Sequence, residues 1–180
     1  PRAGESILDL CAAPGGKTTY IAQLMQNQGK ISAQDNDDER LELVRENYIR
    51  LGITSVDVSL APNHIIEKPS MRFDRILVDA PCSNTGVMRR RVDLRWRIEP
   101  GEIARLRQEQ LDLLRRAAPR LKPGGTMVYS TCSLEPEENQ EVVERFLEEN
   151  KNFKLESQRE LIPFADKVDG AFVAKIKCAA

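Results

Sequence analysis

The chain has 180 residues, enough for one domain with a sizeable core, and its 41% hydrophobic, 31% charged composition is that of an ordinary globular protein. A net charge of −1 excludes a globally basic nucleic-acid binder, so any such contact must come from a local patch. No apolar run reaches membrane-span length and no signal peptide is visible; four scattered cysteines and one histidine, His64, argue against a disulfide scaffold and a metal site. A cytoplasmic monomer is therefore expected, and the start at Pro1 rather than at a methionine is read as a piece of a longer chain.

The first apolar run, Ile7 to Ala13, stops at Pro14-Gly15-Gly16, and a helical pattern begins at Thr18 with Ile21, Leu24 and Met25 on one face. This is the strand, glycine turn and helix start of a nucleotide-binding α/β unit, or else an ordinary tight βα turn. The stretch lacks the first glycine of a dinucleotide fingerprint. Cys11 stands where a phosphate-binding P-loop needs its first glycine. A loop serving an adenosyl ligand without phosphates fits better.

Lys30 to Gln34 reads as a second strand, ending at Asp35. An acid there holds ribose hydroxyls in many α/β nucleotide sites; the alternative is a helix N-cap. Leu41, Val44, Tyr48 and Leu51 mark the core face of the next helix, which stops at Gly52. Val56 to Leu60 alternates as a third strand, followed by the loop Ala61-Pro62-Asn63-His64, with His64 expected at the surface.

Phe73 to Val78 is a fourth strand, delivering Asp79-Ala80-Pro81-Cys82-Ser83. Pro81 stiffens the exit, so a carboxylate and a thiol are held on a short rigid segment at a strand's carboxyl end. An N-capping Asp and a buried Cys are the plainer alternative. From Asn84 to Pro100 the pattern predicts a long loop carrying Arg89, Arg90, Arg91, Arg95, Trp96 and Arg97. These residues suit phosphates and unpaired bases, or form a solvated loop anchored by Trp96.

Ile103, Leu106, Gln110, Leu113 and Leu114 mark a helix to about Leu121, kinked or ended near Pro119. Lys122 to Gly125 reads as a turn, and Thr126 to Ser130 as a fifth strand delivering Thr131-Cys132-Ser133. A helix starting at Pro136 turns Val142, Val143, Phe146 and Leu147 inward. Lys154–Glu156 and Ala171–Ile176 read as an antiparallel pair at the sheet edge, with no helix between. The whole is one alternating α/β domain with a mostly parallel sheet.

Cys82 and Cys132 at the ends of adjacent strands, with Asp79 beside an adenosyl site, suit methyl transfer to a carbon that is not nucleophilic by itself. Carbon 5 of a pyrimidine is such an atom: thiolate addition at carbon 6 makes carbon 5 able to attack an electrophilic methyl. The motifs Asp9–Thr18 (DLCAAPGGKT), Asp79–Ser83 (DAPCS), Tyr129–Ser133 (YSTCS) and Asp169–Lys175 (DGAFVAK) resemble the Sun (Fmu-type) family of RNA cytosine-carbon-5 methyltransferases over essentially the whole chain.

The resemblance implies a Rossmann-like, seven-stranded fold with a terminal antiparallel hairpin, S-adenosylmethionine as donor, and RNA as substrate, with rRNA favoured over tRNA. It implies that Cys132 is the nucleophile, that Cys82 assists release of the product base, and that Asp79 and Lys17 lie at the reacting centre. Cys11, Ala12, Ala13, Pro14, Gly15, Gly16, Lys17, Asp35 and Asp79 would bind the donor. Two departures stand out. Leu60-Ala61 occupies the place of the family's usual adenine-contacting acid, and the family's RNA-binding region and a further motif would lie upstream of Pro1.

The competing classes fare worse. Thr85 stands where a zinc deaminase needs its second cysteine, and His64 lacks the required spacing to a glutamate. A methyltransferase acting on a protein or a small molecule explains the fold but leaves two strand-end cysteines without a purpose, whereas a non-catalytic adenosyl-binding module stays open if this stretch stands alone.

Overall fold

The computed structural model of the chain describes residues 1–62, 64, 69–96 and 98–180. Seven strands form one sheet: β1 (Ser6–Asp9), β2 (Lys30–Asp35), β3 (Val56–Leu60), β4 (Phe73–Asp79), β5 (Leu121–Thr131), β6 (Phe153–Leu161) and β7 (Ala171–Cys178). Their order is β3-β2-β1-β4-β5-β7-β6. The first five are mutually parallel, and β7 runs antiparallel to both β5 and β6. The sheet reverses its winding between β1 and β4, where a crevice opens at the carboxyl ends of the strands.

The faces of the sheet are set by alternation. In β1, Ile7 packs with Ala22, Met25 and Ile31, while Leu8 joins Ile76, Leu114, Val143 and Phe146 on the opposite face. A strand buried on both sides reads as an unbroken apolar run, which is why Ile7 to Leu10 shows no polar alternation apart from Asp9. Helices α1 (Gly16–Leu24) and α2 (Asp38–Arg50) cover the first face; α3 (Pro100–Ala117) and α4 (Gln140–Glu149) cover the second. Each fully buried Leu, Ile or Phe contributes about 1.5–3 kcal/mol of transfer free energy.

Several boundaries differ from the sequence-based expectation. Helix α1 starts at Gly16, and its inward residues are Thr18, Ala22 and the following Met25; Leu24 is exposed. Leu51 lies one residue past α2 and is exposed, because the chain leaves the helix at Arg50. Asp37 caps α2 by accepting the Arg40 N–H at 3.1 Å, so Asp35 is not its cap. Lys122–Gly125 lies within β5. Leu121 pairs with Phe73 and Thr126 with Arg75, and the extra residues bulge through Gly124 at φ +70°.

The Asn84–Pro100 stretch carries two 3₁₀ segments, Thr85–Val87 and Val92–Trp96. Pro119 lies in a 3₁₀ turn beyond the end of α3, and Pro136–Glu138 forms another before α4. A single helical turn, Pro163–Asp166, interrupts the link between β6 and β7. His64 is exposed, while Asn63 and Arg97 lie outside the described residues. Among the described residues no helix is long and apolar enough to cross a membrane.

Candidate active site

Four strand ends meet at one cleft of about 880 Å³, whose lining includes Cys11, Ala13, Lys17, Asp35, Asp79, Cys82 and Cys132. Strands β1, β2, β4 and β5 deliver these residues. Ala12, Pro14, Gly15 and Gly16 shape the first loop. Gly15 has φ +102°, and a Cβ there would approach Val44 Cα to 3.1 Å, so only glycine lets the loop lie against α2.

Neighbouring elements hold that loop open. Asp35 Oδ2 accepts the Ala13 N–H at 3.0 Å and its Oδ1 accepts the Asp37 N–H at 3.3 Å. From α2, Arg40 donates to the Ala13 carbonyl and Asn47 to the Pro14 carbonyl, both at 3.0 Å. A carboxylate offers about four lone-pair positions, so Asp35 keeps capacity for hydroxyl donors in the cleft it lines. Ala61 also lines the cleft, where its N–H is spent on the Asp35 carbonyl at 2.8 Å.

Asp79 is fixed from two sides. Lys17 Nζ lies 2.6 Å from Oδ2, and the Ser130 hydroxyl donates to Oδ1 at 2.7 Å. Below it, Asp9 is completely buried. Thr18 donates to its Oδ2 at 2.7 Å, and Oδ1 has no partner among the described residues. Burial pushes the Asp9 carboxyl up to about 7.

The two thiols are adjacent: Cys82 Sγ and Cys132 Sγ are 3.3 Å apart. This follows from the sheet, since β4 and β5 are parallel neighbours with Asp79 opposite Ser130. The hydrogen bond from Cys82 draws the Cys132 thiol below its ordinary value, against the opposing effect of burial. The Cys82 thiol is pushed up, first by that same bond and then by burial. Cys11, also in the cleft, is pushed up by burial and by three nearby carboxylates, which leaves it a poor nucleophile.

Sequence reasoning missed a buried clamp. Glu138 is fully buried; its Oε2 accepts the hydroxyls of Ser83 and Ser133, each at 2.5 Å. Its Oε1 accepts the Ser83 N–H at 2.9 Å and Gln110 Nε2 at 3.0 Å, and Gln110 also donates to the Pro81 carbonyl. Ser83 and Ser133 each follow a cysteine of the pair, so one carboxylate locks both thiol-bearing loops together. The motif Asp169–Lys175 joins from β7. Gly86 donates its N–H to the Cys132 carbonyl at 3.0 Å, and Gly170 donates to the Gly86 carbonyl at 2.8 Å.

The arginine-rich segment is partly spent internally. Arg89 and Arg90 both pair with Asp169, the latter at 2.8 Å. The guanidinium of Arg89 holds the Asp169 carboxyl below the usual carboxylate range. Arg91 lines the cleft, Arg95 is exposed, and Trp96 is 86% exposed, so Trp96 does not anchor the loop. No cluster of three or more metal-ligating side chains occurs among the described residues.

A family model described as 16S rRNA methyltransferase RsmB/F matches residues 1–177. The chain belongs to the RsmB/F family. Among curated relatives it is 42% identical over 156 residues to a probable ribosomal RNA small subunit methyltransferase B of Bacillus subtilis, a match covering 86% of this chain and 35% of the relative. It is also 42% identical to ribosomal RNA small subunit methyltransferase B of Salmonella newport, over 98% of this chain and 43% of the relative.

Among solved structures, NSun6 from Pyrococcus horikoshii, determined with SFG, superposes with a TM-score of 0.88 at 32% identity. That match covers all of this chain and 49% of the other. The chain thus spans less than half the length of these RsmB/F-type relatives. The sheet order and terminal hairpin are those of the Rossmann-like methyltransferase fold that the motifs imply.

Proposed function

We propose that this chain is the catalytic domain of an S-adenosylmethionine-dependent RNA methyltransferase that forms 5-methylcytosine, with rRNA as its substrate. The observation that carries the reading is the Cys82–Cys132 pair, 3.3 Å apart, in the same cleft as the glycine loop and Asp35. Family membership, relatives named for small-subunit rRNA, and a neighbour solved with an S-adenosylmethionine analogue support it.

The residues present fit the donor. The Gly15 turn leaves no side chain between the loop and α2, the start of α1 presents unpaired N–H groups, and Asp35 retains acceptor capacity for ribose. Leu60-Ala61 stands where the family places an acid, so no carboxylate at that place is offered to adenine, and of the two Ala61 lines the cleft. When bound, S-adenosylmethionine supplies an electrophilic methyl group and departs as the neutral thioether.

The chain's own residues do the rest. Cys132, as thiolate, adds its electron pair to carbon 6 of cytosine, and the ring electrons move toward nitrogen 3 and carbon 5. Asp79, held by Lys17 and Ser130, orients the base, and the adjacent ammonium of Lys17 offsets negative charge that develops on the ring. After carbon 5 has taken the methyl, a base removes its proton. That electron pair re-forms the 5,6 double bond and expels the Cys132 sulfur, and the Cys82 S–H receives the departing thiolate.

The test is a denaturing gel of the full-length protein with substrate RNA and donor. Cys132→Ala abolishes methylation and forms no adduct. Cys82→Ala still attacks and methylates but releases poorly, so protein accumulates joined to RNA. Adduct in Cys132→Ala, or none in Cys82→Ala, overturns these roles.

A further inference from the structure

Asn84 follows Cys82 by two residues and has φ 62° and ψ 24°, in the left-handed region that favours glycine and that asparagine tolerates. It precedes the Thr85–Val87 turn, yet its side chain makes no capping hydrogen bond there. Both ends of the amide are instead spent at the thiol pair. Nδ2 donates to the Cys82 carbonyl at 2.7 Å, and Oδ1 accepts from Cys132 Sγ at 2.8 Å. The Cys82 carbonyl can only accept, which fixes the amide: the nitrogen faces the carbonyl and the oxygen faces the thiol.

A thiol has one hydrogen. With that of Cys132 directed at Asn84, the hydrogen in the 3.3 Å contact between the sulfurs belongs to Cys82. The three groups form a directional chain: Cys82 S–H to Cys132 sulfur, and Cys132 S–H to the Asn84 carbonyl. Asn84 also lines the cleft, so an entering base meets the side chain that holds the nucleophile.

We propose that Asn84 is a further catalytic residue, whose side-chain carbonyl retains the proton on Cys132 while the cleft is empty and sets the direction of the thiol pair. The inference rests on the reading of Cys132 as nucleophile. The amide oxygen stabilises S–H and opposes S⁻, so the free thiolate forms only when Asn84 turns away from the sulfur. Cys82 acts in the opposite sense, stabilising the thiolate once it forms. Occupancy of the cleft and activation of the nucleophile are thereby coupled, and the resting sulfur is protected from adventitious electrophiles.

The test needs neither RNA nor donor. The pH dependence of iodoacetamide alkylation at Cys132, read site by site by peptide mass spectrometry, reports the midpoint for losing its proton. Asn84→Gly suits the backbone and removes the acceptor. Its midpoint falls below that of the parent, and alkylation at pH 7 is about fivefold faster, as expected for one net hydrogen bond. Asn84→Asp keeps the side-chain shape, places a full negative charge beside the sulfur, and raises the midpoint. A midpoint that stays put in Asn84→Gly, even with faster alkylation at every pH, would mean that the side chain only shields the sulfur, and would overturn the proposal. An unmoved midpoint in Asn84→Asp would overturn it too. If Cys132→Ala still methylated RNA, the function reading would fall, whereas the alkylation series judges Asn84 alone.

Discussion

Asp9 shows how one buried atom links the site to stability. Its carboxyl sits near 7 because burial disfavours the charged form, against an ordinary value of 3.8. Below pH 4 it is protonated in both folded and unfolded chains. Between about 4 and 7 the unfolded chain releases this proton while the fold retains it, so stability falls as pH rises through that window and stays lowered above it. The expected cost across the whole window is on the order of 4 kcal/mol. Asp9→Asn should shrink the difference in urea-unfolding free energy between pH 5 and pH 8; an unchanged difference would show that Asp9 does not titrate there. The sequence exposed residues such as Cys82, Cys132 and Asp35 because strand ends and turns announce them. It hid Asn84 and Glu138. Asparagine after a turn and glutamate in a Glu-Pro-Glu-Glu run are common surface residues, and their roles arise only from contacts across 48 and 55 positions of chain.

At the level of elements, the β4 and β5 exits behave as one unit because Glu138 joins them. Glu138→Ala removes the acceptor shared by the Ser83 and Ser133 hydroxyls, the Ser83 N–H and one N–H of the Gln110 amide, whose other N–H still reaches the Pro81 carbonyl. Such a loss in a buried network costs about 3 kcal/mol or more. Glu138→Gln keeps the shape but forces an N–H₂ onto donors, so it should be only partly better. In melting experiments the predicted order is parent, then Gln, then Ala; methylation by folded Gln variant should lose kcat with little change in KM for RNA, since the thiols rather than the RNA surface are displaced. Equal kcat in the parent and the Gln variant would remove Glu138 from the positioning of the cysteines. Element type and order were readable from apolar periodicity. The bulge in β5 was not, because Lys-Pro-Gly-Gly has turn chemistry and is kept in the sheet by tertiary pairing of Leu121 with Phe73.

At the scale of the whole chain, a net charge of −1 means that the proposed attraction for RNA would rest on local groups, and Asp169 pairs with two of the candidates, Arg89 and Arg90. Asp169→Asn frees Arg89 and Arg90 for phosphates. Single-stranded RNA affinity, followed by fluorescence anisotropy across a potassium chloride series, should then rise at low salt. The log–log salt slope should steepen by about 1. An unchanged slope would place both arginines off the RNA path. The doubly wound order was legible from alternating strand and helix patterns, together with the family motifs. The use of the arginine cluster was not, since sequence spacing does not reveal that Asp169, some 80 positions away, folds against it.

The junction between Gly86 and Gly170 brings two backbones together with no side chain between them. A Cβ on Gly86 would come within 2.5 Å of the Gly170 carbonyl oxygen, and one on Gly170 within 2.7 Å of Gly86 Cα. Where a core residue grows, a neighbour can usually shrink to compensate. Here the neighbour is already the smallest residue available, so neither position has a second-site suppressor at the other. Lineages diverging from this sequence would therefore be expected to hold both glycines fixed, even while the helices on either face exchange their side chains freely.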